Sequence, residues 1–327
     1  MGDADRAGQQ RGGSAPSGGP GASGVKHVEE AIRRVPQWSR KPLAVRPLQG
    51  GITNLNYVVT VDGAEYVVRM PGERTELLGI DRANEAEAAA RAAALGIGPP
   101  VFGELPGVGT LITELIPGHH VSAEQFVERL PDVVALLKRF HDSGPIGGAF
   151  PIHRVVEWHA RDAGAHGVIA PSSYERLHQV SRRIERAFAG APLAPIPCHN
   201  DLLPANVLFG ADRVWLLDFE YAGMNDVFFD LANLSVNSEF NAATDEHLLR
   251  LYFGTVTKSA WARLQLMKVM SEFREGMWAV VQQAISTLDT DFVSYADERL
   301  RNCERLAAVP QFEGWLEDAR QPPLLHG

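Results

Sequence analysis

The run CHNDLLPANVLFGADRVWLLDFE, residues 198–220, constrains this chain more than any other stretch. Two short apolar segments, VLF and VWLLDF, flank Gly210-Ala211-Asp212. That pattern reads as a tight hairpin of two short strands. A hairpin brings its open ends together, so Asn206 at the start of the first strand and Asp218 at the end of the second become neighbours. An amide oxygen beside a carboxylate is a hard-oxygen pair suited to Mg²⁺. Asp201, in the loop leading into the hairpin, is placed to accept a proton from a hydroxyl. Together they match the division of labour in phosphoryl transfer: Asp201 as base, Asn206 and Asp218 as metal ligands. Any one of these residues is more often a turn cap. The pattern H-x-D-x-x-x-x-N followed by a strand closing in Asp-Phe-Glu carries the argument. His199 is expected to brace the loop.

This motif falls in the second of two lobes. LAVRPL, LNYVVTV and EYVVRM read as strands, with Asp62-Gly63 as a hairpin turn between the last two. RANEAEAAARAAAL is dense in helix formers and stops at Gly96 and Gly98-Pro99-Pro100. The strand TLITELI follows and ends at Pro117-Gly118. Beyond it, residues 131–142, 173–189, 226–240, 244–253 and 258–285 have helical periodicity. The expected fold class is α+β. A nucleotide-binding lobe spans 25–117, and a mainly helical catalytic and substrate lobe spans 118–327. Residues 1–24, rich in Gly, Ser, Ala and Pro, are expected to be a disordered tail.

The β-rich lobe offers a phosphate-binding edge. In LQGGITNLNYVV, Gly50 and Gly51 let the backbone approach a phosphate, and Thr53 and Asn54 can add side-chain donors. Arg69 sits on an apolar strand, where a charge needs a partner or an anionic ligand. The layout of kinases pairs such a base with an acid on the next helix, here Glu85 in preference to Glu87. Backbone groups around Glu114 and Ile116 are expected to meet adenine.

GGITNLNYVV, VVRMPG, LGIGPPVFG, CHNDLLPANVLF, LLDFEYAGMNDVFFDLANLS and EGMWAVVQQAIS resemble the choline/ethanolamine kinase branch of the aminoglycoside phosphotransferase-like kinases. The resemblance covers roughly residues 45–285. It implies a two-lobed protein-kinase-like fold and ATP- and Mg²⁺-dependent phosphorylation of an amino alcohol, choline first and ethanolamine second. An aminoglycoside or thiamine kinase is the alternative within the class, and an inactive ligand-binding relative the alternative outside it. The family pattern places Glu220, Tyr221 and Trp278 near the substrate, since a quaternary ammonium is recognised by aromatic faces. Tyr252, Trp261 and Tyr295 have a weaker claim. The chain departs from the family in two places. Asn237 stands where a carboxylate is common, with Glu239 two residues on. Glu275 stands where some relatives carry a second Trp, and is either a group facing the ammonium or, the preferred reading, an exposed helix charge.

The formal net charge of −9 argues against nucleic acid and anionic membrane as partners and tolerates a small cationic alcohol. Two distant cysteines give no disulfide framework and fit a cytoplasmic home. No apolar run approaches the length of a membrane span. A homodimer is compatible with this composition.

Overall fold

The structure, a computed structural model, describes residues 28–48, 54–72, 74–108, 110–286, 288 and 290–323. The tail assigned to residues 1–24, and Gly50, Gly51 and Thr53, lie outside these described residues.

The N-terminal part is a five-stranded antiparallel sheet. Its strands are β1 (Leu43–Leu48), β2 (Asn54–Val61), β3 (Ala64–Pro71), β4 (Val101–Leu105) and β5 (Thr110–Glu114), in the order β1-β2-β3-β5-β4. The β2–β3 turn takes left-handed φ at both Asp62 (51°) and Gly63 (83°). That backbone twist matches the twist of the flanking strands, which is why Asp-Gly suits this turn. The register sets Asn56 opposite Arg69 and Asn54 opposite Pro71. Helix α1 (Arg82–Ala94) is capped by Asp81, which accepts from the amides of Ala83 and Asn84. Its first turn carries Arg82 and the buried Glu85 towards the end of β3.

The rest of the chain is mainly helical. Its helices are α2 (Ala123–Glu128), α3 (Leu130–His141), α4 (Ile152–Ala165), α5 (Tyr174–Phe188), α6 (Val227–Asn237), α7 (Ala242–Phe253), α8 (Lys258–Ile285), α9 (Phe292–Ala307) and α10 (Phe312–Asp318). Helix α8 is buried on nearly every face from Ser259 to Gln282 and packs against α4, α6, α9 and α10. Gly276 is what lets α9 come so close. A Cβ there would lie 2.6 Å from the Leu300 side chain on α9. No described helix is long and apolar enough to cross a membrane.

Two small two-stranded sheets frame the central motif. β6 (Ile196–Cys198) pairs with β9 (Gly223–Asn225), and β7 (Val207–Phe209) pairs with β8 (Val214–Leu216). The hairpin is as the sequence suggests, with one adjustment at each end. Asn206 closes a 3₁₀ turn, Pro204–Asn206, directly before β7. Asp218 lies two residues beyond β8. The Leu217 amide still donates to the Asn206 carbonyl at 2.9 Å, and Asp218 then turns to φ 63°. A left-handed non-glycine residue is uncommon and tends to persist where surrounding contacts hold it, often at functional sites.

Candidate active site

Asp201, Asn206 and Asp218 converge where the sheet meets the helical part. The Asn206 Nδ2 donates to the Asp201 carbonyl at 2.8 Å and lies 3.5 Å from Asp201 Oδ2. This turns the amide nitrogen towards Asp201 and leaves the amide oxygen as the group available for a metal. An amide oxygen and the Asp218 carboxylate make a donor set that fits Mg²⁺, which keeps several waters and takes further oxygens from phosphate.

The loop before Asn206 is held from below by α6. The two Asp230 oxygens accept the amides of His199 and Asn200, each at 2.7 Å. Asn233 Oδ1 accepts the Leu202 amide at 2.5 Å, and its Nδ2 donates to Ser271 on α8. His141 Nε2 lies 2.9 Å from Asp230 Oδ2, and its Nδ1 lies 2.6 Å from the Tyr252 hydroxyl. His199 is buried with Nε2 2.8 Å from the Leu217 carbonyl, so it ties the loop to the strand leading to Asp218. Asn200 has φ 64°; its side chain donates to the Tyr221 carbonyl and accepts from Asn225 Nδ2. Among the described residues, His141, Cys198 and Asp230 come close enough to hold a cation. Asp230 is already committed to two amides and His141, so the cluster reads as a brace.

On the sheet side, Arg69 Nη1 donates to Glu85 at 3.0 Å and to Asp218 Oδ1 at 2.6 Å. A second cation, Arg82, donates to Glu85 at 2.6 Å, to Thr75 Oγ1 at 3.1 Å and to Asn54 Oδ1 at 3.3 Å. Glu220 turns to this side. It accepts from Asn54 Nδ2 at 2.8 Å and lies 3.7 Å from both guanidinium groups. Burial lowers the proton affinity of Arg69, but the carboxylates of Asp218, Glu220 and Glu85 outweigh it and hold the guanidinium above its ordinary value. Glu220 is pushed up to about 8, first by burial and then by Asp218, against the pull of Arg69. Glu87 instead accepts the Gly147 amide at 2.8 Å. The Glu114 amide donates to the Pro100 carbonyl at 2.9 Å, and the chain runs on through Ile116 into the helical part.

On the helical side, Arg274 from α8 donates to Asp201 Oδ1 at 3.2 Å and to the neighbouring Glu275. Its guanidinium stacks 4.3 Å from the Tyr221 ring centroid. Asp201 is pushed up to about 7: burial raises it, Arg274 partly opposes this, and Glu275 and Asp218 reinforce it. A base is most effective with a pKa near the working pH. The Trp278 Nε1 donates to the Tyr221 hydroxyl at 2.9 Å, and Trp278 meets Tyr295 edge-on at 6.3 Å.

Glu275 differs from the sequence reading. It is 4% exposed rather than a solvent-facing helix charge, because α8 is covered on both sides and its charge is answered by Arg274. Glu239 is not on the helix at all: α6 stops at Asn237, and Glu239 follows it exposed, with φ 54°. Of the aromatics with a weaker claim, Tyr295 lines this side, Tyr252 braces His141, and Trp261 packs on the main core.

The geometry defines a two-lobed phosphotransferase site. It has a paired-charge cluster on a β-sheet lobe and an acid, an amide and a second acid presented by the helical lobe. Residues 44–267 match the phosphotransferase enzyme family, and the chain belongs to it. A solved structure of a choline/ethanolamine kinase family protein from Mesorhizobium loti is 31% identical, with a TM-score of 0.77, covering 90% of this chain and 98% of that one. Ethanolamine kinase 2 of Mus musculus is 28% identical, over 80% of this chain and 75% of its own length. The protein LicA of Haemophilus influenzae is 28% identical, over 77% and 76% respectively. The protein-kinase-like fold that the family resemblance implies is the fold of these neighbours.

Proposed function

We propose that this protein transfers the γ-phosphoryl group of ATP to the primary hydroxyl of a small amino alcohol of the choline/ethanolamine kind. One observation carries the reading. Asp201 and Asn206 meet on the helical side of the cleft, and Asp218 reaches across to Arg69 on the sheet side. Asp201 accepts the hydroxyl proton as the alcohol oxygen bonds to the γ-phosphorus and the bond to the ADP leaving group breaks. Asn206 and Asp218 are the residues that would hold Mg²⁺, which would neutralise charge on the phosphates. Arg69, fixed by Glu85, and Arg82 supply cations for the phosphate oxygens, and Gly50, Gly51, Thr53 and Asn54 the loop beside them. Glu114 and Ile116 border adenine. Tyr221 and Trp278 form the acceptor wall. Most of the rate enhancement then comes from positioning and charge neutralisation.

A polycationic aminoglycoside would need several carboxylates free to face it. On the acceptor side, Asp201 and Glu275 already share Arg274. The two cysteines are free and buried, which supports a reducing, cytoplasmic setting.

A coupled assay of ATP consumption against choline, ethanolamine, thiamine and kanamycin tests the proposal. Turnover is expected with the amino alcohols. Turnover with only thiamine or kanamycin, or with none, overturns it.

A further inference from the structure

We propose that Glu275 sets which ammonium group the acceptor site takes, favouring amino alcohols whose nitrogen still carries at least one N–H. The inference rests on the amino-alcohol kinase reading and sharpens it. Glu275 lies one turn before Trp278 on α8, so both side chains share one face of that helix. Its Oε2 accepts the Tyr295 hydroxyl at 3.3 Å, and its Oε1 accepts from Arg274, whose same nitrogen bonds Asp201. The carboxylate therefore stands one guanidinium away from the base and against the aromatic wall of Tyr221, Trp278 and Tyr295. Arg299 is stacked 5.0 Å from the Tyr295 ring, on the far side of that ring from the base.

An ionised carboxylate offers about four acceptor positions. Arg274 and Tyr295 use two of them. Each oxygen has one partner, and the remaining lone pairs sit in a dry environment, where a charge-assisted donor is strongly favoured. An ammonium with an N–H can satisfy one. A trimethylammonium group cannot: it presents only methyl groups, desolvates the carboxylate and returns no hydrogen bond. Arg274 bonds both Asp201 and Glu275, and Arg299 acts on Glu275 from beyond Tyr295 while it also bonds Glu272. A pocket relying on aromatic faces alone would favour the quaternary cation. Here a fixed carboxylate is added to the faces, and a site built to bond an N–H discriminates against analogues that lack it.

The test is kcat/KM along ethanolamine, N-methylethanolamine, N,N-dimethylethanolamine and choline, which carry three, two, one and no ammonium N–H. One N–H is enough for the bond. The expected profile is therefore a step, with a loss of about 10- to 100-fold concentrated between the dimethyl compound and choline. Glu275→Gln removes the charge while keeping the shape, and is expected to shrink that step to within a few-fold and leave KM for ATP in place. A flat series, a choline preference, or a step that survives in Glu275→Gln overturns the inference. Should the variant fail to fold, the wild-type series still decides, since choline matching the dimethyl compound is fatal to it. If none of the four alcohols is phosphorylated, the kinase reading beneath it fails instead.

Discussion

On the sheet side of the cleft, Arg69 and Arg82 face Glu85, Asp218 and Glu220. On the helical side, Arg274 bonds both Asp201 and Glu275, with Arg299 acting on Glu275 from beyond Tyr295. The first cluster is partly open, with the Arg69 side chain 18% exposed and Asp218 25%. The second is nearly dry, with the Arg274 side chain 2% and the Glu275 side chain 6% exposed. The first is assembled from three separate places: β3, the start of α1, and the chain just after β8. The second is presented largely by α8, a helix buried on nearly all faces. The difference teaches how one cleft serves two substrates. On the proposed reading, triphosphate and metal would bring four or more charges, and their side would need charges that can exchange partners, with Asp218 free to bind a metal in place of Arg69. An amino-alcohol acceptor would bring a single charge and a hydroxyl, so the side proposed to take it can be rigid and selective.

Asp201→Ala should break the comparison most severely. If Asp201 is the base we propose, its loss lowers kcat by about 10²- to 10⁴-fold with little change in KM for ATP. Normal turnover would take Asp201 out of the mechanism. Next in size, Arg69→Ala leaves Glu85, Asp218 and Glu220 facing Arg82 alone. Nucleotide affinity, read by calorimetry, should fall by about tenfold or more, while KM for the acceptor holds. An equal loss for both substrates would mean that the two sides are not separable. Trp278→Phe keeps the ring and removes the N–H to Tyr221. We expect a rise of about fivefold in acceptor KM against an unchanged KM for ATP. Matching rises would make Trp278 packing rather than wall.

The smallest effect is on stability and concerns Glu220. Its carboxyl is raised from 4.5 to about 8, so the folded state holds a proton that the unfolded chain releases. That contribution is complete below about pH 4.5 and is lost as pH rises through about 8. Without nucleotide, the wild-type Tm should therefore fall relative to that of Glu220→Gln between pH 5 and 8. His153 and His159, kept neutral by burial, act in the opposite sense below about pH 6.5, and the difference between wild type and variant cancels them. Parallel Tm curves would show that Glu220 is ionised throughout.

The strands β1, β2, β3 and β5, helix α1 and the β7–β8 hairpin were legible because their signals are local: alternation, Asp-Gly at a turn, Ala and Glu in a run. The pairing of Arg69 with Glu85 was legible for a related reason, since a charge on an apolar strand has to be answered from nearby. Helices α4 and α9 were not marked by periodicity, and the three-residue strands β6 and β9 are too short for a pattern to register. Arg82, Asp230 and Arg274 were missed as site residues. Asp230 had a signal, an acid inside the apolar run VFFDLANLS, which could only be tolerated if buried donors met it. Arg274 and Glu275 had none. On a helix covered all round, charge does not segregate to one face, so their burial could not be inferred from spacing.

By itself the sequence determined that Asn206 and Asp218 would meet at the open end of one hairpin, with Asp201 just upstream, because a two-stranded turn leaves its ends no other arrangement. It also determined that a β-rich segment carrying a cation would precede that hairpin. Only the tertiary structure decided what faces Asp201: Arg274 lies 73 residues away and meets it because α8 runs through the middle of the helical lobe. It likewise decided that Glu220 turns to the sheet side and Glu275 to the acceptor side. The physical reason is that a buried charge takes its partner from whatever packing brings within reach, and packing over such separations is a property of the whole fold.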